Sequence, residues 1–341
     1  MKAMMLHAVT LLEKNEHPLQ FAEMPVPVPK ENEILIKVKA CGVCHTELDE
    51  IEGRTAPTFF PVIPGHQIVG IITDKGKSVS KYKINDRVGV GWFYSACGKC
   101  EYCMKGLENL CSSFKATGRD VHGGYAEYIA VPEDSAFPIP EGFTNAEAAP
   151  LLCGGAIGYR SLKLTNIKNG DALGLTGFGA SGHQVLQLSK YLYPCSKVFV
   201  FSRNEKEQQF ALSLGADWAG DISSKPPELL SAIIDTTPAW KPIVESLGFL
   251  KAGGRLVINA IRKEDKDKEQ LLKLDYQQHL WMEKEIKSVA NITTCDIEEF
   301  LQIAAVMNLK PTVITYPLEE ANKALLDLKR GSSHGAKALI I

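Results

Sequence analysis

Three side chains that lie far apart in the sequence have the types needed to bind a reactive zinc ion. They are Cys44, His66 and Cys153. Two thiolates and one imidazole leave the fourth position of a tetrahedral zinc open to water or substrate. Each residue alone is also common as a buried structural side chain. Together they predict a catalytic metal site that the fold has to assemble.

A second group of cysteines occupies one short stretch. It consists of Cys97, Cys100, Cys103 and Cys111, with the spacing C-x2-C-x2-C-x7-C. Four thiolates this close in sequence can surround a tetrahedral zinc with no open position, as structural zinc sites do. An iron–sulfur cluster also takes four cysteines and is the alternative. A closed four-thiolate site performs no chemistry on a substrate, so we expect it to stabilise the surrounding lobe.

The segment Gly177-Phe-Gly-Ala-Ser-Gly182 has the pattern G-x-G-x-x-G. A strand is predicted at 171–176 before it, a helix at 181–192 and a second strand at 197–201 after it. In such a βαβ unit the glycines let the backbone approach a pyrophosphate at a helix N-terminus. The candidate cofactor-binding residues are Gly177, Gly179, Ala180 and Gly182. A glycine-rich turn without a ligand is the alternative.

The residues after the second strand indicate which dinucleotide binds. An acidic residue there would bind the ribose 2′-hydroxyl of NAD, but this chain has Ser202-Arg203-Asn204. The guanidinium of Arg203 can pair with a 2′-phosphate through its fork of donors, although a solvated surface arginine is also common. We therefore expect Ser202 and Arg203 to contact the cofactor, and NADP(H) to be favoured over NAD(H).

The elements that position these residues fall into two groups. The N-terminal half has short apolar strands and glycine- or proline-rich turns, which predict a barrel-like antiparallel structure. Its predicted strands are Ile34–Ala40, Gln67–Thr73 and Arg87–Val90. The later half alternates helices and strands, which predicts a doubly wound parallel sheet and hence an α/β fold. Its further predicted elements are helices near 205–214 and 241–247 and strands near 232–235, 255–260 and 285–290.

Composition excludes several classes of partner. The 341 residues carry 38 basic and 40 acidic side chains, which argues against binding to nucleic acid or an anionic membrane. No apolar run reaches the roughly 18 residues of a membrane span, and the N-terminus does not resemble a secretory signal. Nine cysteines without an export signal predict a reducing compartment, the cytoplasm. A chain of this length predicts two domains.

Over nearly its whole length the chain resembles the zinc-dependent alcohol dehydrogenases of the medium-chain dehydrogenase/reductase superfamily. The motifs that carry the resemblance are Gly42-Val-Cys-His-Thr46, Pro64-Gly-His66, the four-cysteine stretch, Gly123-Gly-Tyr-Ala-Glu-Tyr128, Leu152-Cys153 and the glycine loop. The resemblance implies a GroES-like β-rich catalytic domain from residues 1–153 and 290–341. It also implies a Rossmann nucleotide-binding domain at 154–289 and a homodimer or homotetramer.

Carried over by the same resemblance, Cys44, His66 and Cys153 would hold the catalytic zinc and the four clustered cysteines the structural zinc. His45 would lie near the cofactor pyrophosphate, and Thr46 would take the proton of the alcohol. Trp92 and Ile51 would line a pocket for small primary alcohols or aldehydes, although Trp92 is nearly as well explained as a core side chain. The implied reaction is hydride transfer between NAD(P)(H) and this small-molecule substrate.

Four positions depart from the family pattern. Gln67 replaces a glutamate near the zinc, and Glu47 replaces an aspartate that orients the zinc histidine. Asp49 stands where some relatives end the proton relay on a histidine. His334 stands where relatives often place an arginine for the pyrophosphate.

Two other hypotheses stay open at this point. One is a non-catalytic, zinc-stapled dinucleotide-binding protein, because a fold does not guarantee chemistry. The other is a polyol or sugar dehydrogenase. Relatives of that kind commonly replace the third cysteine ligand by a carboxylate, so Cys153 argues against it.

Overall fold

The computed structural model describes residues 1–331 and 335–341. The chain forms two compact units, one built from residues 1–156 and 292–341 and the other from residues 157–291. The boundaries expected from sequence were 153/154 and 289/290. The first unit is therefore discontinuous in sequence, and the second is inserted into it.

The strands, numbered along the chain, are β1 (Lys2–Leu6), β2 (Leu19–Glu23), β3 (Glu33–Val43), β4 (Ile68–Lys75), β5 (Arg87–Val90), β6 (Phe93–Ser95), β7 (Lys115–Ala116), β8 (Tyr128–Pro132), β9 (Ala136–Pro138), β10 (Leu173–Thr176), β11 (Val198–Phe201), β12 (Trp218–Gly220), β13 (Leu230–Asp235), β14 (Leu250–Ile258), β15 (Glu285–Ser288), β16 (Val313–Pro317) and β17 (Ala336–Ile340). The helices are α1 (His45–Ile51), α2 (Glu101–Met104), α3 (Asn145–Ala148), α4 (Gly154–Thr165), α5 (Ala180–Leu192), α6 (Glu205–Ser213), α7 (Lys241–Leu247), α8 (Thr294–Met307) and α9 (Ala321–Arg330). Within the described residues, no helix is long and apolar enough to cross a membrane.

The first unit is organised around the long strand β3. Its sheet has the order β16-β17-β3-β4-β5-β9, and β8 also pairs with β3. All of these pairings are antiparallel except that of β16 with β17. The apolar side chains Ile34, Ile36 and Val38 of β3 are buried in the core of this unit, as expected for a strand with alternating apolar residues. The predicted antiparallel strands are confirmed.

The second unit is a six-stranded parallel sheet with the order β12-β11-β10-β13-β14-β15. Its central strands β10, β11 and β13 are almost entirely buried, as parallel strands covered on both faces should be. The predicted doubly wound α/β fold is confirmed.

The largest error in a predicted strand boundary of the second unit is at β14, and the other boundaries there differ by two residues or fewer. β14 begins at Leu250, five residues before the predicted start at Arg255. Leu250 pairs with Leu230, and the register then shifts before Ala232 pairs with Arg255. The intervening residues include Gly253 with φ +69°, a conformation that glycine adopts without strain. The sequence signal was hidden because this glycine-containing irregularity interrupts the apolar pattern.

Candidate active site

Cys44 lies at the junction between β3 and α1. It is the N-cap of the helix, and its Sγ accepts a hydrogen bond from the backbone N–H of Thr46 at 3.4 Å. The carboxylate of Glu47 reaches back and accepts from the backbone N–H of Cys44 at 2.8 Å. These reciprocal bonds form a capping box. The thiol is therefore held at a fixed point between a strand and a helix.

His66 precedes β4 and is positioned by a glycine. Gly65 has φ +99°, and a Cβ there would lie 2.3 Å from the ring of the buried Tyr125. Only glycine fits that close approach. Cys153 follows a 3₁₀ turn at Ala149–Leu152. Both residues are thus placed by tight backbone geometry in different parts of the chain.

The fold brings the three candidate ligands together. The donor atoms of Cys44, His66 and Cys153 all lie within 4.8 Å of one another, and Cys44 Sγ is 3.7 Å from His66 Nε2. A hydrogen bond with Cys153, together with burial, raises the pKa of Cys44 well above its ordinary value. Buried thiols become good ligands when a bound cation favours their thiolate form. Two sulfurs and one imidazole nitrogen fit a zinc ion with an open fourth position.

Glu47 lies directly against the ring of His66. Its Oε1 lies 2.5 Å from His66 Nδ1, and both side chains are almost completely buried. Burial alone raises the pKa of Glu47, but the His66 imidazole outweighs burial and the net pKa is lowered. A contact at Nδ1 leaves Nε2 available toward the sulfurs, which is the arrangement of a metal-ligating histidine.

The four clustered cysteines also meet. Their sulfurs lie within 4.8 Å of one another, and Cys100 and Cys103 are 3.5 Å apart. Backbone N–H groups of Lys99 and Cys100 lower the pKa of Cys97 to about 6. The short helix α2 and the turns around it supply this geometry. Four convergent thiols with backbone donors directed at sulfur fit a closed four-thiolate metal site.

Trp92 is held on its indole edge and on its ring. Its Nε1–H donates to Oε1 of Glu50 at 3.4 Å. The guanidinium carbon of Arg119 lies 5.1 Å from its ring centre, and the ring of Phe114 is 5.4 Å away. Burial, with the charge of Glu47, raises the pKa of Glu50 to about 8. Trp92 itself is only partly buried.

Sequence reasoning missed Glu50, although a signal was present. It follows Glu47 by three residues, which places both carboxylates on one face of α1. Ile51, expected in the pocket, is fully buried in the hydrophobic core of the first unit. That expectation needs correction because the Ile51 side chain has no accessible surface to offer a ligand.

The other residues that the sequence places near the reaction differ in their burial and contacts. His45 is exposed and Thr46 is half-buried. Asp49 is buried, and its Oδ1 accepts from Nε of Arg54 at 2.5 Å. Arg54 is a partner that the sequence did not reveal. Gln67 is buried beside Gly42, where a Cβ would lie 2.3 Å from the Gln67 Oε1.

The glycine loop of the second unit follows β10. Gly177 has φ +79°, and its N–H donates to the carbonyl of Phe201, the last residue of β11, at 3.0 Å. Gly179 is the N-cap of α5, with no atom within 4 Å of an added Cβ, and Ala180 begins the helix. A Cβ at Gly182 would lie 3.1 Å from the Gly177 carbonyl. The open backbone at a helix N-terminus fits a phosphate group.

One positive and one negative side chain lie near the end of β11, the strand that follows the glycine loop. Arg203 is exposed at the end of β11. Ser202 is buried, and its hydroxyl donates to Oε2 of Glu207 at 2.5 Å. Sequence reasoning did not place this carboxylate at the strand end. His334, the expected pyrophosphate residue, lies outside the described residues.

A β-rich unit with a cysteine–histidine donor set, in a chain whose other unit is a parallel sheet with a glycine-rich phosphate loop, defines a metal-type dinucleotide dehydrogenase. Residues 30–141 match the alcohol dehydrogenase GroES-like domain. The chain belongs to the zinc-type alcohol dehydrogenases of the medium-chain dehydrogenase/reductase superfamily. The resemblance inferred from its motifs is thereby confirmed.

The similarity to individual proteins extends over almost the entire chain. The chain is 40% identical over 329 residues to the probable alcohol dehydrogenase AdhA of Mycobacterium tuberculosis (strain CDC 1551 / Oshkosh), covering 95% of this chain and 93% of that protein. It is 33% identical over 326 residues to an alcohol dehydrogenase of Geobacillus stearothermophilus, covering 93% and 94%. A cinnamyl alcohol dehydrogenase structure from Sorghum bicolor superposes with a TM-score of 0.85 at 25% identity, covering 99% and 97%.

Proposed function

We propose that this alcohol dehydrogenase binds two zinc ions per chain and transfers hydride between NADP(H), in preference to NAD(H), and small primary alcohols or aldehydes. The observation that carries the proposal is the convergence of Cys44, His66 and Cys153, whose donor atoms lie within 4.8 Å of one another. A zinc ion held by these three residues would supply Lewis-acid polarisation of the substrate oxygen at its open position.

The protein groups around this metal site have separate tasks. Glu47 holds the ring of His66 in the orientation that presents Nε2 to the metal. The hydroxyl of Thr46 can both donate and accept, so it takes the proton of the alcohol and passes it on. The proton would then leave through water or through Asp49, which lies one helical turn from His45 and is held by Arg54. His45 is exposed and available to the cofactor pyrophosphate.

The second zinc is assigned to Cys97, Cys100, Cys103 and Cys111. Four thiolates leave no open position, so this metal would stabilise its lobe and take no part in the reaction. The short strands β6 and β7 beside it form a sheet of only two strands, which supports a structural need for the metal. An iron–sulfur cluster is the alternative that metal analysis would exclude.

The choice of substrate and cofactor rests on two further side chains. Trp92, fixed by Glu50 and Arg119, narrows the space for the substrate and so favours small alcohols. Cys153, in place of a carboxylate, argues against the polyol or sugar dehydrogenase alternative. Arg203 is exposed at the end of β11, where it can pair with a 2′-phosphate.

Two properties of the whole protein belong to the same proposal. None of the nine cysteines forms a disulfide, which supports residence in a reducing compartment, the cytoplasm. We assign the protein a homodimeric or homotetrameric state, as the family resemblance implies. Size-exclusion chromatography with light scattering distinguishes these two states from a monomer.

The decisive experiment combines metal analysis with a reduction assay. Zinc content is measured by elemental analysis on wild type, Cys153→Ala and the matched control Cys195→Ala, whose thiol is exposed. Aldehyde reduction is measured with NADPH and NADH, and circular dichroism checks folding. We expect two zincs per chain, falling to one with loss of activity only in Cys153→Ala. One zinc in all three folded proteins, without turnover, would favour the non-catalytic dinucleotide-binding protein.

A further inference from the structure

No acidic residue directly follows β11 in the sequence, but a carboxylate from the next helix lies at the end of this strand. Glu207 is the third residue of α6, and its Oε2 accepts from the Ser202 hydroxyl at 2.5 Å. Nε2 of Gln208 donates to the Ser202 carbonyl at 2.7 Å. The first turn of α6 is therefore folded back over the strand end, and this brings the Glu207 charge with it.

We infer that Glu207 is a specificity-determining residue that opposes the 2′-phosphate of NADP(H) and accepts the free ribose 2′-hydroxyl of NAD(H). The inference rests on the proposed dinucleotide site and deepens it. In folds of this kind an acidic group at the end of the second strand binds the ribose hydroxyl. Here the acidic group comes from the following helix instead of from the strand.

Ser202 fixes the position of this carboxylate. The serine is buried and Glu207 is half-buried, so the charged hydrogen bond between them is only partly exposed to water. Its oxygen also accepts from the backbone N–H of Asn204 at 3.2 Å. The single hydroxyl hydrogen of Ser202 is used by Glu207, so it cannot be donated to a phosphate oxygen at the same time.

The strand end that Glu207 contacts is joined to the glycine loop by a backbone hydrogen bond. Gly177, the first glycine of the loop, donates from its N–H to the carbonyl of Phe201 at 3.0 Å. Phe201 directly precedes Ser202. A dinucleotide whose pyrophosphate lies on the glycine loop therefore brings its adenosine ribose toward the strand end that Ser202 and Glu207 occupy.

Arg203 and Glu207 then act in opposite directions. The exposed Arg203 attracts a 2′-phosphate, whereas Glu207 repels it. The preference of the wild-type protein for NADP(H) should therefore be smaller than the one that Arg203 alone would give. Removing one charge should move the preference in one direction, and removing the other should move it in the opposite direction.

The test measures binding of 2′,5′-ADP and of ADP by isothermal titration calorimetry on the zinc-loaded protein. These fragments differ in the 2′-phosphate, and no turnover is needed. Glu207→Gln should tighten 2′,5′-ADP binding about tenfold, the scale of one charge contact at a partly exposed site, and leave ADP equal or weaker. Ser202→Ala should shift the ratio in the same direction because Glu207 loses its anchor.

Glu205→Gln is the matched control. Glu205 is exposed in the same helical turn, and its substitution removes the same charge. An equal gain for Glu205→Gln would overturn the inference, since the general charge of the turn would then explain the effect. An equal change for both ligands in Glu207→Gln would also overturn it. Absence of binding of either ligand to wild type would overturn the dinucleotide site itself and this inference with it.

Discussion

The carboxylate of Glu47 joins two candidate metal ligands. Its Oε1 lies 2.5 Å from Nδ1 of His66, and its Oε2 accepts from the backbone N–H of Cys44 at 2.8 Å. One side chain thus sets both the ring orientation of the histidine and the helix start that carries the cysteine. The extra methylene of glutamate, compared with the aspartate common in the family, does not prevent contact with the ring.

Glu47→Gln should weaken zinc binding at the catalytic site. The amide can still cap Cys44, but it loses the charge that holds the Nδ1 proton of His66, and loss of such a partner typically costs about 10–100-fold in metal affinity. Competition with a chromogenic chelator measures the effect. The zinc of the four-cysteine site is the internal control and should be released at the wild-type rate. Unchanged release of both zincs would show that Glu47 does not hold the histidine.

Gln67→Glu should change turnover without changing zinc content. Gln67 is buried next to His66 in sequence, so a carboxylate there adds a negative charge near the metal and makes it less electrophilic. Steady-state rates and elemental analysis on the same preparation measure the two effects. Gln67→Met, with a neutral side chain of similar length, is the control. Wild-type kinetics in Gln67→Glu would count against any role for this position.

Glu50→Leu should loosen Trp92. Leucine keeps much of the buried volume but cannot accept from the indole Nε1–H, which bonds to Glu50 at 3.4 Å, and loss of a partly buried hydrogen bond costs about 1 kcal/mol. We expect KM for a small alcohol to rise severalfold with kcat less affected and metal content unchanged. Glu50→Gln keeps an acceptor and should remain close to wild type. Equal effects of both substitutions would indicate that the hydrogen bond to Trp92 is not responsible.

Glu52 should make stability depend on pH in the acid range. Burial opposes the shift, but hydrogen bonds from Lys329 and Arg54 lower the pKa of Glu52 to about 2. Because the folded-state pKa lies below the ordinary value of about 4.3, the stabilisation is present above that value. It is lost as pH falls toward the folded-state pKa.

Glu52→Gln should therefore lower the thermal midpoint at pH 7, and the difference from wild type should shrink as the pH falls below about 4. The expected loss at neutral pH is about 1 kcal/mol, because the group keeps only part of its charged contacts away from solvent. Glu16→Gln is the control, since Glu16 forms an exposed pair with Arg330. A constant difference across the pH range would contradict the assigned protonation.

Much of the fold was predictable because the signals are local. β5 and α7 occupy the predicted residues Arg87–Val90 and Lys241–Leu247, since burial on alternate or helical positions leaves a clear period in the sequence. The four-cysteine cluster was also predictable, because few residue types bind zinc and its spacing is restrictive. The site of Cys44, His66 and Cys153 has no such spacing and was predictable from its residue types together with the family motifs around them.

The missed contacts share a physical cause. Two hydrogen bonds were missed, one between Ser202 and Glu207 and one between Arg54 and Asp49. In each, a long side chain reaches back across a helix turn or a helix end. Their rotamers are chosen by the surrounding structure, and a sequence pattern contains no record of that choice. Ile51 was misplaced for a related reason, because a residue at a helix end can face either the core or a pocket.

The pairing of β17 with β3 has a consequence for the order of folding during synthesis. Lys337 pairs with Val43, so the strand that ends beside Cys44 receives this neighbour only when the C-terminal segment has left the ribosome. The second unit and the four-cysteine lobe are each contiguous in sequence and can form earlier, since domains generally fold as units on the growing chain. Until then the edge of β3 is open to foreign strands. Nascent chains stalled before β17 should therefore be the ones that chaperones bind.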